Sequence, residues 1–417
     1  MADQATGDRH IAIVGGGVVG VATAYELARR GCRVTVIDDG ELTTSASTGN
    51  AGIIALGHPP LPRPGLLLKT IGWMIDPASP LYVPFRIDLG LLSWMARFAL
   101  ACRAGPFERS VELMARMGLG SGERFQTIIA DESIDCDYRP RGWMDVYRTD
   151  AARAASRVDG ALLERAGYAV RELDAATIAD EEPGLAGVMG ATLYEGGGSI
   201  DPGPFLAGLA AASERRGATI LRGQAVTGFE RRDGRVVGVH AGTELIEADD
   251  VVLSAGAWST ALGRTIGVRI PMQAGKGYHV EVRTPEPLLR RVSVLSETHI
   301  AATPMGDRLR LAGTVELSGV NLRVHERRVR MLTEGARAYL PGIEDAEPFD
   351  AWCGLRPCTA DGLPVIGLAP GYENLFIATG HAKMGLTLGP YTGLLLSQIV
   401  LGETPAMDVA AFSPARF

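Results

Sequence analysis

His10-Ile11-Ala12-Ile13-Val14-Gly15-Gly16-Gly17-Val18-Val19-Gly20, followed by an apolar helical stretch and then by Arg33-Val34-Thr35-Val36-Ile37-Asp38, decides the fold of this chain. His10–Val14 is a short apolar run ending on glycines, the pattern of a buried parallel strand. Val18–Arg30 carries Val21, Ala24, Leu27 and Ala28 on one helical face and stops at Gly31. Arg33–Ile37 is the second strand, so a complete βαβ unit opens the chain. In this unit Gly15 permits the tight turn, Gly17 lets a pyrophosphate approach the backbone, and Gly20 lets helix and strand pack closely. The pyrophosphate is expected on the exposed N–H groups of the helix N-terminus, and Asp38 is placed to accept hydrogen bonds from a ribose. Asp39 reads as a solvated loop residue.

Working outward, helices are expected over 106–130, 151–167, 204–216 and 324–340. Short strands are expected over 219–221, 225–231, 235–241 and 250–253, and a separate antiparallel sheet from 278–282, 299–304 and 308–312. No repeat and no low-complexity linker separates these stretches. Two interleaved domains are therefore expected: a Rossmann-like α/β domain from 8–57, 190–265 and 350–410, and an α+β domain with a mainly antiparallel sheet from 58–189 and 266–349.

Composition narrows the function. With 417 residues, 46% hydrophobic and 21% charged, the chain is long enough for two cores and is not disordered. A net charge of −7 without a basic stripe argues against nucleic acid as a partner. Five scattered cysteines, with no CxxC pair, form neither a disulfide framework nor a metal site. The first ten residues lack a signal-peptide profile, so a cytoplasmic location is the expectation. No run is apolar enough to span a bilayer, but 66–102 is rich in Leu, Ile, Met, Trp and Phe. That stretch reads either as packed helices of the second domain or as a peripheral membrane contact on the cytoplasmic face.

Both FAD and NAD use a βαβ unit of this kind. Gly380-His381-Ala382-Lys383-Met384-Gly385-Leu386-Thr387 precedes a further helix, whose N-terminus offers a second site for developing negative charge. A flavin needs such a contact and a nicotinamide does not.

The opening unit, the loop Thr44-Ser45 to Asn50-Ala51-Gly52, the strand Val251–Ser259, Gly354–Gly367 and Gly380–Pro390 together resemble the D-amino-acid oxidase superfamily of FAD-dependent oxidoreductases, most closely the bacterial D-amino-acid dehydrogenases. The likeness covers nearly the whole chain. It implies oxidative deamination of a D-amino acid or a D-proline derivative by hydride transfer from Cα to flavin N5, giving an imino acid that hydrolyses to a keto acid and ammonia. It implies FAD contacts at Gly15, Gly17, Gly20, Asp38, Ser45, Gly52, Val226, Gly256, His381, Gly385 and Thr387. It implies Arg356 as the anchor of the substrate carboxylate, with Lys276, Tyr278 and His58 near the pocket. A guanidinium fork suits a carboxylate, whereas Tyr278 fits a core position equally well and His58 a solvated loop. Cys353 and Cys358 miss the position at which some members attach flavin covalently, so non-covalent FAD is expected. Implied partners are a small amino acid and a quinone, an electron-transfer protein or O₂ as acceptor. An amine, opine or glycine/sarcosine-type oxidase, or a flavoprotein subunit of a larger dehydrogenase complex, stands as the alternative.

Overall fold

The computed structural model describes residues 9–42, 45–66, 72, 76, 79–86, 88–284 and 286–417. Much of the 66–78 part of the apolar stretch therefore lies outside the described residues.

The βαβ unit forms as its pattern requires: His10–Val14 is buried throughout, Val18–Arg29 is helical, and Arg33–Ile37 pairs in parallel with the first strand. Among the described residues they belong to a six-stranded sheet. Its order is Val365–Leu368, Leu375–Thr379, Asp250–Leu253, His10–Val14, Arg33–Ile37, Thr219–Leu221. All neighbours run parallel except Val365–Leu368, which returns antiparallel at the edge. One face packs under the helices Val18–Arg29, Pro202–Arg215 and Gly385–Val400. The other is covered by a meander of Val226–Arg232, Arg235–Ala241 and Glu244–Glu247.

Among the described residues, a nine-stranded, mainly antiparallel sheet makes the second domain. Its long strand Met272–Arg283 pairs with Arg308–Glu316 on one side and with the edge strand Pro348–Thr359 on the other. Beyond Arg308–Glu316 follow Ile300–Met305, Val292–Leu295, Trp143–Tyr147, Gly190–Tyr194 and Val170–Asp174. Strand 143–147 and the outer strands are absent from the sequence reading, because their short runs sit between helical stretches. Gly190–Tyr194 and Pro348–Thr359 pair inside this sheet, so the expected boundaries near 190 and 350 fall one strand too early. The sheet strands 272–283 and 308–316 also outrun the expected segments. Gly275, Gly277 and Gly313 sit inside these ladders.

Candidate active site

A single cavity of about 1200 Å³ runs from the glycine loop to the long strands of the second sheet. At the glycine end, Gly15 has φ +108°, and a Cβ there would lie 2.6 Å from the Ser254 carbonyl oxygen. A Cβ on Gly20 would lie 1.9 Å from the Gly15 oxygen. Neither position admits a side chain, so the loop stays thin and the helix N-terminus remains open to the cavity. Gly17, Asp38, Ser45, Val226 and Gly256 line this end. The Asp38 carboxylate accepts from Gly16 N–H (2.6 Å) and Gly40 N–H (3.0 Å), bracing the loop at the edge where a ribose would lie. Gly20 and Gly52 do not line the cavity. Gly20 acts by close packing; Gly52 has φ +75°, and its carbonyl accepts from Ile200 N–H.

The closing helix Gly385–Val400 enters from the other end of the sequence. A Cβ at Gly389 would press on Val18, and one at Gly393 would lie 2.6 Å from the Ala22 backbone. Residues four apart share a helix face, so this glycine stripe lets the two helices touch backbone to backbone. Both N-termini consequently face one cavity, each without an acidic residue in its first turn. Positive helix ends directed at one space suit a ligand that carries negative charge at two places. Gly385 and Thr387 line the cavity here, with the Thr387 hydroxyl donating to Ile53 O (3.2 Å). His381 lines it too, but its Nε2 pairs with Thr392 Oγ1 (2.9 Å), and burial pulls the imidazole down to about 3. It is a neutral strut between turn and helix.

The far wall holds Arg356. Antiparallel pairing sets Gly275 opposite Arg356 and Gly277 opposite Gly354. A Cβ on Gly277 would lie 2.0 Å from Arg356 Nη1, so this glycine makes room for the guanidinium. Nη1 donates to Thr314 O (2.9 Å), and among the described residues no carboxylate lies within ion-pair distance of it. Burial lowers the Arg356 pKa, yet an arginine stays charged in any case. Arg356 is thus a cation in the cavity lining that no carboxylate of the described residues pairs.

Lys276 and Tyr278 alternate to the opposite face of the same strand. Lys276 lies 3.2 Å from Glu316 Oε1 and donates to Asn321 Oδ1 (2.7 Å); Tyr278 Oη donates to Glu316 Oε2 (2.9 Å). Tyr278 reaches the cavity lining, but its hydroxyl is already committed; Lys276 does not line the cavity. Lys276 is thus turned away from the cavity, whereas Tyr278 stands beside it with its hydroxyl held by Glu316. His58 does line the cavity: Trp143 stacks on its ring at 5.7 Å between centroids, and Nδ1 meets Pro59 O at 2.9 Å. Burial keeps it well below the usual imidazole range.

Sequence reasoning passed over Lys383, Arg63, Asp145, Asp159 and Trp94, all of which line the same cavity. Lys383 Nζ lies 2.9 Å from His58 Nε2, and burial pulls its pKa down to about 7. Arg63 pairs with Asp159 at 3.1 Å. Asp145, buried under the Tyr194 hydroxyl (3.1 Å), is pushed up to about 7. One signal was available: only three of the 41 basic residues are lysine, so each lysine marks a place where arginine was not used. Leu61, Val83, Trp94 and Phe98 add an apolar wall beside Cys358. Cys358 is buried and pushed up to about 11, and Cys353 Sγ donates to Leu322 O, so neither is an activated thiolate.

The residues present fit FAD. The thin glycine loop and helix end can take a pyrophosphate, Asp38 and Val226 flank a nucleoside position, and the second helix end can face a flavin ring.

The family model described as FAD dependent oxidoreductase matches residues 10–399. The chain is 33% identical to a D-amino acid dehydrogenase of Methylobacterium nodulans, over 98% of this chain and 99% of that protein. Among solved structures, glycine oxidase from Geobacillus kaustophilus superposes with a TM-score of 0.80 at 26% identity, covering 98% of this chain and 99% of that one. L-proline dehydrogenase from P. horikoshii superposes at 0.78 and 19% identity, with 98% of each chain covered, a likeness of fold alone.

Proposed function

From the premise that this chain belongs to the FAD-dependent oxidoreductase family, we propose that it oxidises the Cα–N bond of a D-amino acid, the imino acid product hydrolysing to a keto acid and ammonia. Among relatives, the D-amino acid dehydrogenase name supports the substrate class. The observation that carries the reading is Arg356, a guanidinium without an acidic partner among the described residues, in the cavity that also holds the glycine loop. Two parallel N–H···O bonds to a carboxylate would fix both position and rotation of the substrate. When bound, FAD supplies the hydride acceptor; the protein's own share is to bind, orient and exclude water. Held non-covalently, it would lie along the cavity with both helix ends turned towards it. The apolar wall of Leu61, Val83, Trp94 and Phe98 is where the substrate side chain would lie.

An anaerobic visible spectrum tests this. Yellow protein should bleach with a subset of D-amino acids and not with their L-enantiomers or with amines lacking a carboxylate. Bleaching by simple amines would transfer the enzyme to the amine-oxidase class. Flavin that no amine reduces would favour a subunit acting only within a complex.

A second feature supports contact with a bilayer and a lipid-soluble quinone as acceptor. Leu89–Ala101 is capped by Asp88 and exposes Leu89, Leu92 and Leu100, with Phe85 just before it 97% exposed. Its other face carries Trp94, Met95 and Phe98 into the cavity lining. Arg97 and Arg103 are exposed beside the apolar residues, as on helices that lie in an interface. No helix among the described residues is long and apolar enough to cross a membrane.

A further inference from the structure

We propose that Lys383 is the base that takes the ammonium proton of the bound substrate before the Cα hydride leaves, with His58 as the residue that positions it. The inference rests on the amino-acid reading above and assigns a step which that reading leaves without an acceptor. An ammonium nitrogen has no lone pair with which to form the C=N bond. Its N–H bond must break, leaving the electron pair on nitrogen, before hydrogen can depart from Cα with its own pair.

Geometry selects the acceptor. Lys383 comes from the turn Ala382–Met384, which packs on strand Pro348–Thr359, and both Lys383 and Arg356 line the cavity. A substrate held by Arg356 through its carboxylate would therefore have its nitrogen in the space that Lys383 faces. Lys383 has no carboxylate within ion-pair distance among the described residues; its hydrogen-bond partner is His58 Nε2 at 2.9 Å. The Pro59 carbonyl can only accept, so His58 Nδ1 carries the ring proton and Nε2 is left as an acceptor. The imidazole thus holds Nζ in place, and a proton arriving on Nζ keeps its hydrogen bond.

Among the described residues, the following titratable groups act on Nζ. Arg356 and Cys358 face it from one strand and Asp145 from another; Asp159 faces it from the helix Asp150–Arg165, and Arg63, His58 and His299 from loops and turns. Burial and the two arginines favour neutral Lys383, and the two aspartates limit that effect. Arginine could not serve here, since it does not deprotonate in a protein. In a chain with three lysines, one is placed in the cavity without a carboxylate partner, whereas the buried Lys276 is spent on Glu316.

The holoenzyme provides two tests. Labelling with [13Cε]lysine should give signals from three lysines, one of which titrates near pH 7 and vanishes in Lys383→Met; absence of such a titration overturns the proposal whatever the substrate. In anaerobic stopped flow, the second-order constant for flavin reduction should fall tenfold per pH unit below about 7, where Lys383 is protonated, and be level above it. Lys383→Met and Lys383→Arg should both lose that plateau and fall at least 100-fold at pH 7.5, with FAD absorbance and benzoate binding kept. Asp145→Asn should keep the limb. His58→Leu should move the midpoint to lower pH, because the ammonium form loses its acceptor, and should lower the plateau, because Nζ is no longer held in place. A plateau retained in Lys383→Arg would show that charge, not proton transfer, is the role, and would overturn the proposal. Failure of every amino acid to bleach the wild type would instead overturn the functional reading, with the lysine titration still deciding the state of Lys383.

Discussion

The two ends of the cavity are built on different principles. The glycine end uses backbone: Gly15, Gly17 and Gly20 fall within six consecutive residues, and Gly15 and Gly20 keep the loop thin and the helix end open to the cavity. The Arg356 end uses side chains from distant strands, loops and turns: Arg356 from 348–359, Asp145 from 143–147, His58 from the loop after Gly52, Lys383 from the turn after 379. Backbone sites follow from local spacing, because a turn is a property of neighbouring residues. Side-chain sites follow from strand pairing, which joins residues that sequence keeps far apart.

If that contrast is right, the largest effect should come from Arg356→Met. Removing the anchor of a buried carboxylate should cost about 4 kcal/mol, or roughly 1000-fold in half-saturation, with FAD retained. Lys276→Met sharpens the same point from the opposite face of the strand. Glu316 keeps Tyr278 and Arg328 but loses its ammonium partner, which should lower stability by about 2 kcal/mol in urea denaturation, with substrate half-saturation changed less than about threefold. Loss of substrate affinity in that variant would return Lys276 to the pocket. At the glycine end, Gly20→Ala forces a methyl against the Gly15 carbonyl. It should weaken FAD by about 2 kcal/mol, roughly 30-fold, measured by flavin fluorescence on dilution. The smallest effect is expected on the outer face of Leu89–Ala101. Leu89→Ser with Leu92→Ser should reduce sedimentation with anionic vesicles about tenfold and leave flavin reduction in solution unchanged.

The parallel half was legible because its signals are local. An apolar run ending on glycines, a helix of one apolar face and a terminal acid need no partner to be read. The closing helix was legible as an element, but the stripe Gly385, Gly389, Gly393 gained meaning only once Val18 and Ala22 lay against it. The antiparallel half was legible in part. Gly275 and Gly277 lie in a strand where a side chain would collide with Cys358 or Arg356, a demand that shows only once strands 272–283 and 348–359 are paired. Read as a strand with period two, Gly275-Lys276-Gly277-Tyr278 would already have put Lys276 and Tyr278 on one face and the cleared space on the other. His58 sat between two readings because its loop gave no pattern. Its place beside Lys383 depends on a contact spanning 325 residues.

The most direct test of the account is an anaerobic titration of Arg356→Met beside the wild type, following flavin absorbance with the best D-amino acid. The expected result is yellow protein in both, bleached in both, with half-saturation in the variant raised by roughly three orders of magnitude. Bleaching of the variant at the wild-type concentration would mean that the Arg356 guanidinium does not hold the substrate, and the account of the reacting end would fall.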